Sequence, residues 1–158
     1  MDKETIKFLT NKESISEEVA NLIAKAKEAT NASYAPYSNF YVGAAALLED
    51  GTIVLGSNFE NASYPLCLCA ERVALASIHS QYPNAVVKIM AVTARNPKER
   101  LLEPIAPCGA CRQVLLEYEQ KQKSEIQIIM FGEDGKIAIC ESAASLLPMA
   151  FDHSFLSK

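Results

Sequence analysis

Four of the five cysteines fall in two tight pairs, Cys67/Cys69 and Cys108/Cys111, and each pair stands where a loop gives way to a helical pattern. Any fold this chain adopts has to accommodate that arrangement. An odd cysteine count fits a closed disulfide framework poorly, so paired thiols in a reducing compartment point to metal binding or redox chemistry. The two segments are Cys69-Ala70-Glu71-Arg72 and Pro107-Cys108-Gly109-Ala110-Cys111-Arg112. A helix start carries partial positive charge and lowers a thiol's pKa. Cys108 and Cys111, at i and i+3, share a helical face, as two ligands of one metal must. With Cys69 they make three thiolates and leave a fourth position open, which separates a catalytic zinc site from a closed structural one.

Glu71 lies two residues beyond Cys69, where its carboxylate can approach the open position without binding the metal. A carboxylate there acts as general base and then general acid. Three thiolates on Zn²⁺ leave excess negative charge, which Arg72 and the two helix starts can screen. Two plainer readings stand beside this one. Cys108-Gly-Ala-Cys111 alone resembles a thioredoxin-type redox pair, and Cys67 could complete a structural zinc site. Cys67 and Cys140 otherwise read as small buried apolar residues, and His79 and His153 as ordinary histidines. Arg112 is readable either as a site residue or as a surface charge.

The rest of the chain supplies the frame. Its 158 residues suit one domain, here 1–158, with 1–13 read as a polar N-terminal arm. Apolar residues make up 49% and charged residues 22%, a globular balance. Fifteen Lys and Arg against nineteen Asp and Glu give −4, which argues against nucleic acid or an anionic membrane as partner. No membrane span or signal peptide is visible, so a cytoplasmic location is the expectation. Ser14 with Glu17 fits a capping box, opening an amphipathic helix over 15–31 on Val19, Leu22, Ile23 and Ala26. Val42–Leu48 and Thr52–Gly56 read as a hairpin. A helix over 69–79, a buried strand over 85–93, a long connection over 94–107, a helix over 108–121, strands over 126–131 and 136–140, and a short helix over 142–147 follow. That order predicts an α/β protein with a mixed sheet covered by helices.

The motifs C-A-E-R at 69–72 and P-C-G-A-C-R-Q-V at 107–114 resemble those of the zinc-dependent cytidine deaminases, in the class whose first ligand is cysteine. The likeness extends to Y-A-P-Y-S-N-F at 34–40, V-G-A-A at 42–45, N-F-E-N-A-S-Y at 58–64 and L-L-P-M-A-F at 146–151, and so spans roughly 17–155. The resemblance implies a three-layer α-β-α cytidine-deaminase-like fold, with a mixed five-stranded sheet and helices on both faces. It implies one Zn²⁺ per chain on Cys69, Cys108 and Cys111, with Glu71 catalytic. Asn58 and Glu60 would hold the ribose hydroxyls, and Phe40 would line the base pocket. Backbone at Ala70 and Glu71 would read the pyrimidine edge, and Phe151 would reach the base of a neighbouring subunit in a homotetramer. The implied reaction is hydrolytic deamination of cytidine and 2'-deoxycytidine by a zinc-bound hydroxide and a glutamate proton shuttle, in pyrimidine salvage. The substrate would be a free pyrimidine nucleoside. A modified cytosine nucleoside or cytosine-bearing antibiotic is the alternative substrate. The polar arm, the charged connection 94–106 and Ser142-Ala143-Ala144-Ser145, where acidic residues are usual, depart from the family.

Overall fold

Period-two burial in three neighbouring strands shows how the layers are built. In β2 (Tyr41–Leu48), Ala44, Ala46 and Leu48 enter one apolar cluster while Ala45 and Leu47 enter another. In β4 (Val87–Arg95) and β5 (Gln127–Phe131), Met90, Val92, Ile128 and Met130 join the first cluster, and Ile89, Ala91, Ile129 and Phe131 the second. Successive residues of a strand point to opposite faces, so a strand buried on both reads as an unbroken apolar run. The computed structural model describes residues 6–10 and 15–156. Helix α1 (Glu17–Ala29) covers one face with Val19, Leu22, Ile23 and Ala26. Helices α2 (Ala70–Gln81) and α3 (Gly109–Gln122) cover the other. The three-layer α-β-α arrangement read from the sequence is the one observed.

The sheet has six strands, not five. Its order is β1-β6-β5-β4-β2-β3, with β1 Lys7–Leu9, β3 Ile53–Ser57 and β6 Ile137–Cys140. β4 and β5 run parallel through the α3 crossover, and the other pairings are antiparallel. The additional strand lies inside the stretch read as a polar arm. Lys7, Phe8 and Leu9 pair with Ile139, Ala138 and Ile137. Three residues are too few for a period-two pattern to register. Ile6, next to β1, packs against the first apolar cluster, and residues 1–5 and 11–13 of that arm fall outside the described residues.

Helix α1 starts on Ser16, whose hydroxyl accepts from the Val19 N–H at 3.2 Å. The expected cap, Ser14, lies outside the described residues. Glu17 and Glu18 instead occupy the first turn, where negative charge suits the helix dipole. The expected helix over 142–147 is a single 3-10 turn, Ala143–Leu146, capped by Ser142. The charged connection after β4 is bound to the β5–β6 turn. The Glu133 carboxylate accepts from the N–H groups of Asn96 and Leu101, Arg100 pairs with Asp134, and Lys136 pairs with Glu103.

Two glycines set how closely helices approach the sheet. A Cβ on Gly43 would sit 2.1 Å from the Ala26 carbonyl oxygen of α1. One on Gly56 would sit 2.1 Å from the Ala70 carbonyl oxygen and 2.7 Å from the Ala74 nitrogen of α2. Gly56 thus seats the helix whose first turn carries the motif residues.

Candidate active site

Helices α2 and α3 lie on the same face of the sheet and bring their N-termini together. Cys69 is the N-cap of α2 and Cys108 the N-cap of α3, both in extended conformation. Neither cap side chain makes a capping bond to the backbone of its own helix, so both sulfurs are left to face the cluster. The Cys69 and Cys108 sulfurs are 3.8 Å apart, and those of Cys108 and Cys111 are 3.5 Å apart. All three lie within 4.8 Å of one another, the one such gathering of His, Cys, Asp or Glu ligand atoms among the described residues. Thiolates bound tetrahedrally at the usual Zn–S length stand about 3.8 Å apart, so the spacing fits a zinc ion. Cys67 does not complete the set. Its sulfur accepts from the Asn61 N–H at 3.2 Å. Cys140 is buried, as expected, whereas Cys67 is only half-buried.

Exposure grades across the cluster: Cys111 is buried, Cys69 half-buried and Cys108 exposed. The cluster therefore has a wall and an opening. Glu71, in the first turn of α2, is 4% exposed. Burial pushes its carboxyl above the ordinary value, and the Cys69 charge adds to the push. The Cys69 thiol moves the other way, to about 6, because Cys111 hydrogen-bonds to it and, against its burial, Cys108 and Arg72 also favour the thiolate. Cys111, as that donor, is pushed up. The Arg72 positive charge is near enough to favour the Cys69 thiolate. Arg112 resolves as a brace: its guanidinium donates to the carbonyls of Pro107 at 2.8 Å and Leu146 at 3.0 Å.

Asn58 and Glu60 follow β3 in a loop held by Tyr34. The Asn58 side-chain oxygen accepts from the Val42 N–H at 2.8 Å and from the Ser33 hydroxyl, and its amide donates to the Phe40 carbonyl at 2.9 Å. The Glu60 carboxylate accepts from the N–H groups of Tyr37, at 2.9 Å, and Ser38, at 3.3 Å, and from the Ser38 hydroxyl. These bonds tie the 34–40 segment, with half-buried Phe40, to the 58–60 loop. Ser33 and Ser38 were not singled out in the sequence, where a hydroxyl in a turn carries no distinguishing signal. Ala70 is fully buried at the first position of α2, where backbone N–H groups have no intrahelical partner. Phe151 is elsewhere on the surface, 59% exposed and stacked on Phe155 at 5.5 Å.

An α/β sandwich that joins two helix starts through three sulfurs beside a buried carboxylate has the donor set of a zinc hydrolase. Residues 16–126 match the profile of the cytidine and deoxycytidylate deaminase zinc-binding region. The chain belongs to that family. It is 42% identical over 130 residues to a cytidine deaminase of Halalkalibacterium halodurans, covering 82% of this chain and 91% of that protein. A solved cytidine deaminase from Burkholderia pseudomallei shares 42% identity with a TM-score of 0.73, covering 87% of this chain and all of that one. The structure of the Mycobacterium tuberculosis cytidine deaminase gives 34% identity and a TM-score of 0.67, over 87% of this chain and 99% of that one. No helix among the described residues is long and apolar enough to cross a membrane.

Proposed function

We propose that this chain catalyses hydrolytic deamination of cytidine and 2'-deoxycytidine to uridine and 2'-deoxyuridine with release of ammonia. The observation that carries the reading is a buried carboxylate, Glu71, beside a three-sulfur cluster that is open on its Cys108 side. Cys69, Cys108 and Cys111 would hold one zinc ion. When bound, zinc supplies a nucleophilic water at neutral pH. Glu71 takes a proton from the attacking water and delivers it to N3 of the cytosine ring; it then carries the second proton, from the new C4 hydroxyl, to the departing amino group, which leaves as ammonia as the C4 carbonyl forms. Its burial favours the protonated carboxyl that the second half of this cycle needs. Arg72 offsets the negative charge gathered on the sulfurs.

Glu60 and Asn58 read the sugar. A carboxylate offers about four lone-pair positions, and Glu60 uses three, leaving one for a hydroxyl. One N–H of the Asn58 amide holds Phe40, and the second would serve a neighbouring sugar hydroxyl. Phe40 packs beside the base, and backbone N–H groups at Ala70 and Glu71 meet its polar edge.

Phe151 completes the pocket of a neighbouring chain in a homotetramer. Its support is that Phe151, Phe155 and Met149 are exposed, as are the stacked Tyr34 and Phe59, and exposed apolar patches mark association surfaces. Five free cysteines suit a cytoplasmic enzyme of pyrimidine salvage.

Turnover of cytidine, deoxycytidine, a methylated cytidine and deoxycytidylate, measured side by side on zinc-loaded protein, tests the reading. Both unmodified nucleosides should be consumed. Turnover restricted to the modified nucleoside or the nucleotide would overturn the substrate assignment.

A further inference from the structure

Gln113 and Gln120 stand two turns apart on one face of α3, and both reach the chain's C-terminal segment. Gln113 donates to the Phe151 carbonyl at 2.8 Å. Gln120 donates to the Asp152 carboxylate at 3.3 Å, and its amide oxygen meets Nδ1 of His153 at 2.9 Å. Three consecutive residues, 151–153, are thus tied to the helix that begins with Cys108 and Cys111. The tie holds backbone and polar atoms and leaves the rings out. Phe151 and Phe155 stack with an interplanar angle of 11° and stay 59% and 65% exposed. Just upstream, Met149 takes a left-handed φ of 54°. The strap is continued on the far side by Asp152, whose carboxylate caps a short 3-10 turn by accepting from Ser154 N–H at 2.9 Å.

We propose that Gln113 and Gln120 are positioning residues that set where Phe151 projects, and through it the affinity for substrate. The inference rests on the reading of Phe151 as a substrate-facing ring. A flexible tail would present the same ring only part of the time, and binding would be weakened by that fraction. The strap runs along the helix whose N-terminal turn holds two of the three sulfurs, so the ring offered to a neighbouring chain is anchored on a rigid element. Neither glutamine touches the reacting atoms, so loss of the strap should appear in KM and not in kcat.

The test compares Gln120→Met, Gln120→Lys, Phe151→Ala and the double variant Phe151→Ala/Gln120→Met, each loaded with zinc and assayed on cytidine. Methionine keeps the length of the side chain without its hydrogen bonds. Gln120→Met should raise KM by about three- to tenfold, the range expected for losing one or two partly exposed hydrogen bonds, with kcat and zinc content unchanged. Gln120→Lys, which can still donate to Asp152, should recover part of the loss. The double variant should be no worse than Phe151→Ala, because the strap acts only through that ring. A KM rise in Phe151→Ala with Gln120→Met and Gln120→Lys silent would overturn the positioning role while leaving Phe151 in place. Additive losses in the double variant, or a fall in kcat for Gln120→Met, would also overturn it. No KM change in Phe151→Ala would refute the reading of the ring itself, and the inference with it.

Discussion

Glu71 and the three sulfurs divide the work at the residue scale, and each can be removed separately. Glu71→Gln keeps shape and hydrogen bonding but cannot carry a proton, so zinc content should stay at one per chain while kcat falls by about 10²–10⁴. Retained turnover would take Glu71 out of the proton path. Cys111→Ser replaces a soft thiolate with a hard hydroxyl at the buried wall of the cluster. Zinc occupancy, read by metal analysis, should fall markedly, and full occupancy would remove Cys111 from the ligand set. Chelation should expose the other two sulfurs. In metal-stripped protein, a thiol-alkylating reagent should modify exposed Cys108 and low-pKa Cys69 first and buried Cys140 last. Restoring zinc should protect Cys69 and Cys108 and leave the rate at Cys140 unchanged.

Elements matter here through where they end. The helix starts at Cys69 and Cys108 were legible because loop, cysteine and helical period coincide. The central strands were legible as unbroken apolar runs. What was not legible depends on partners distant in sequence. β1 needs only β6 to exist, and Lys7-Phe8-Leu9 has no pattern of its own. Glu119 is the clearest case at the site's margin. It reads as an ordinary polar residue late in a helix, yet it is buried. Its carboxylate accepts from the Ile126 and Ala143 N–H groups at 2.7 Å each, from the Ala144 N–H at 3.1 Å and from the Ser142 hydroxyl at 3.0 Å. It thereby joins α3, the start of β5 and the 3-10 turn that leads to Phe151. Residues 142–145 carry no acidic group of their own, and the carboxylate that holds them comes from α3 of the same chain. Glu119→Ala would leave those donors buried without an acceptor, costing about 2–4 kcal/mol in urea unfolding. A change below about 0.5 kcal/mol would show that water replaces the carboxylate at no cost. Gly56→Ala tests the other contact. Its methyl group would press on the first turn of α2, costing about 1–3 kcal/mol by overpacking and lowering zinc occupancy by shifting Cys69.

Across the whole molecule, the sheet serves as a platform that holds two helix starts at one point, with α1 on the opposite face filling the second half of the core. The ring of Phe151 and the tyrosine-rich loops face outward, and the site is read as complete only when chains associate. Sedimentation should therefore give a particle of four chains of 17.3 kDa each. Phe151→Ala should keep that particle and weaken substrate binding. A fully active monomer would show that Phe151 serves its own chain or none. The charge balance of −4 agrees with a neutral nucleoside as substrate.

The most direct measurement is incubation of zinc-loaded protein with cytidine in water enriched in heavy oxygen, with the product identified by mass spectrometry and ammonia quantified. The account predicts uridine carrying one heavy oxygen at C4, formed in step with one ammonia, and abolished by Glu71→Gln. Unchanged cytidine from a protein holding one zinc per chain, or uridine without the label, would contradict it.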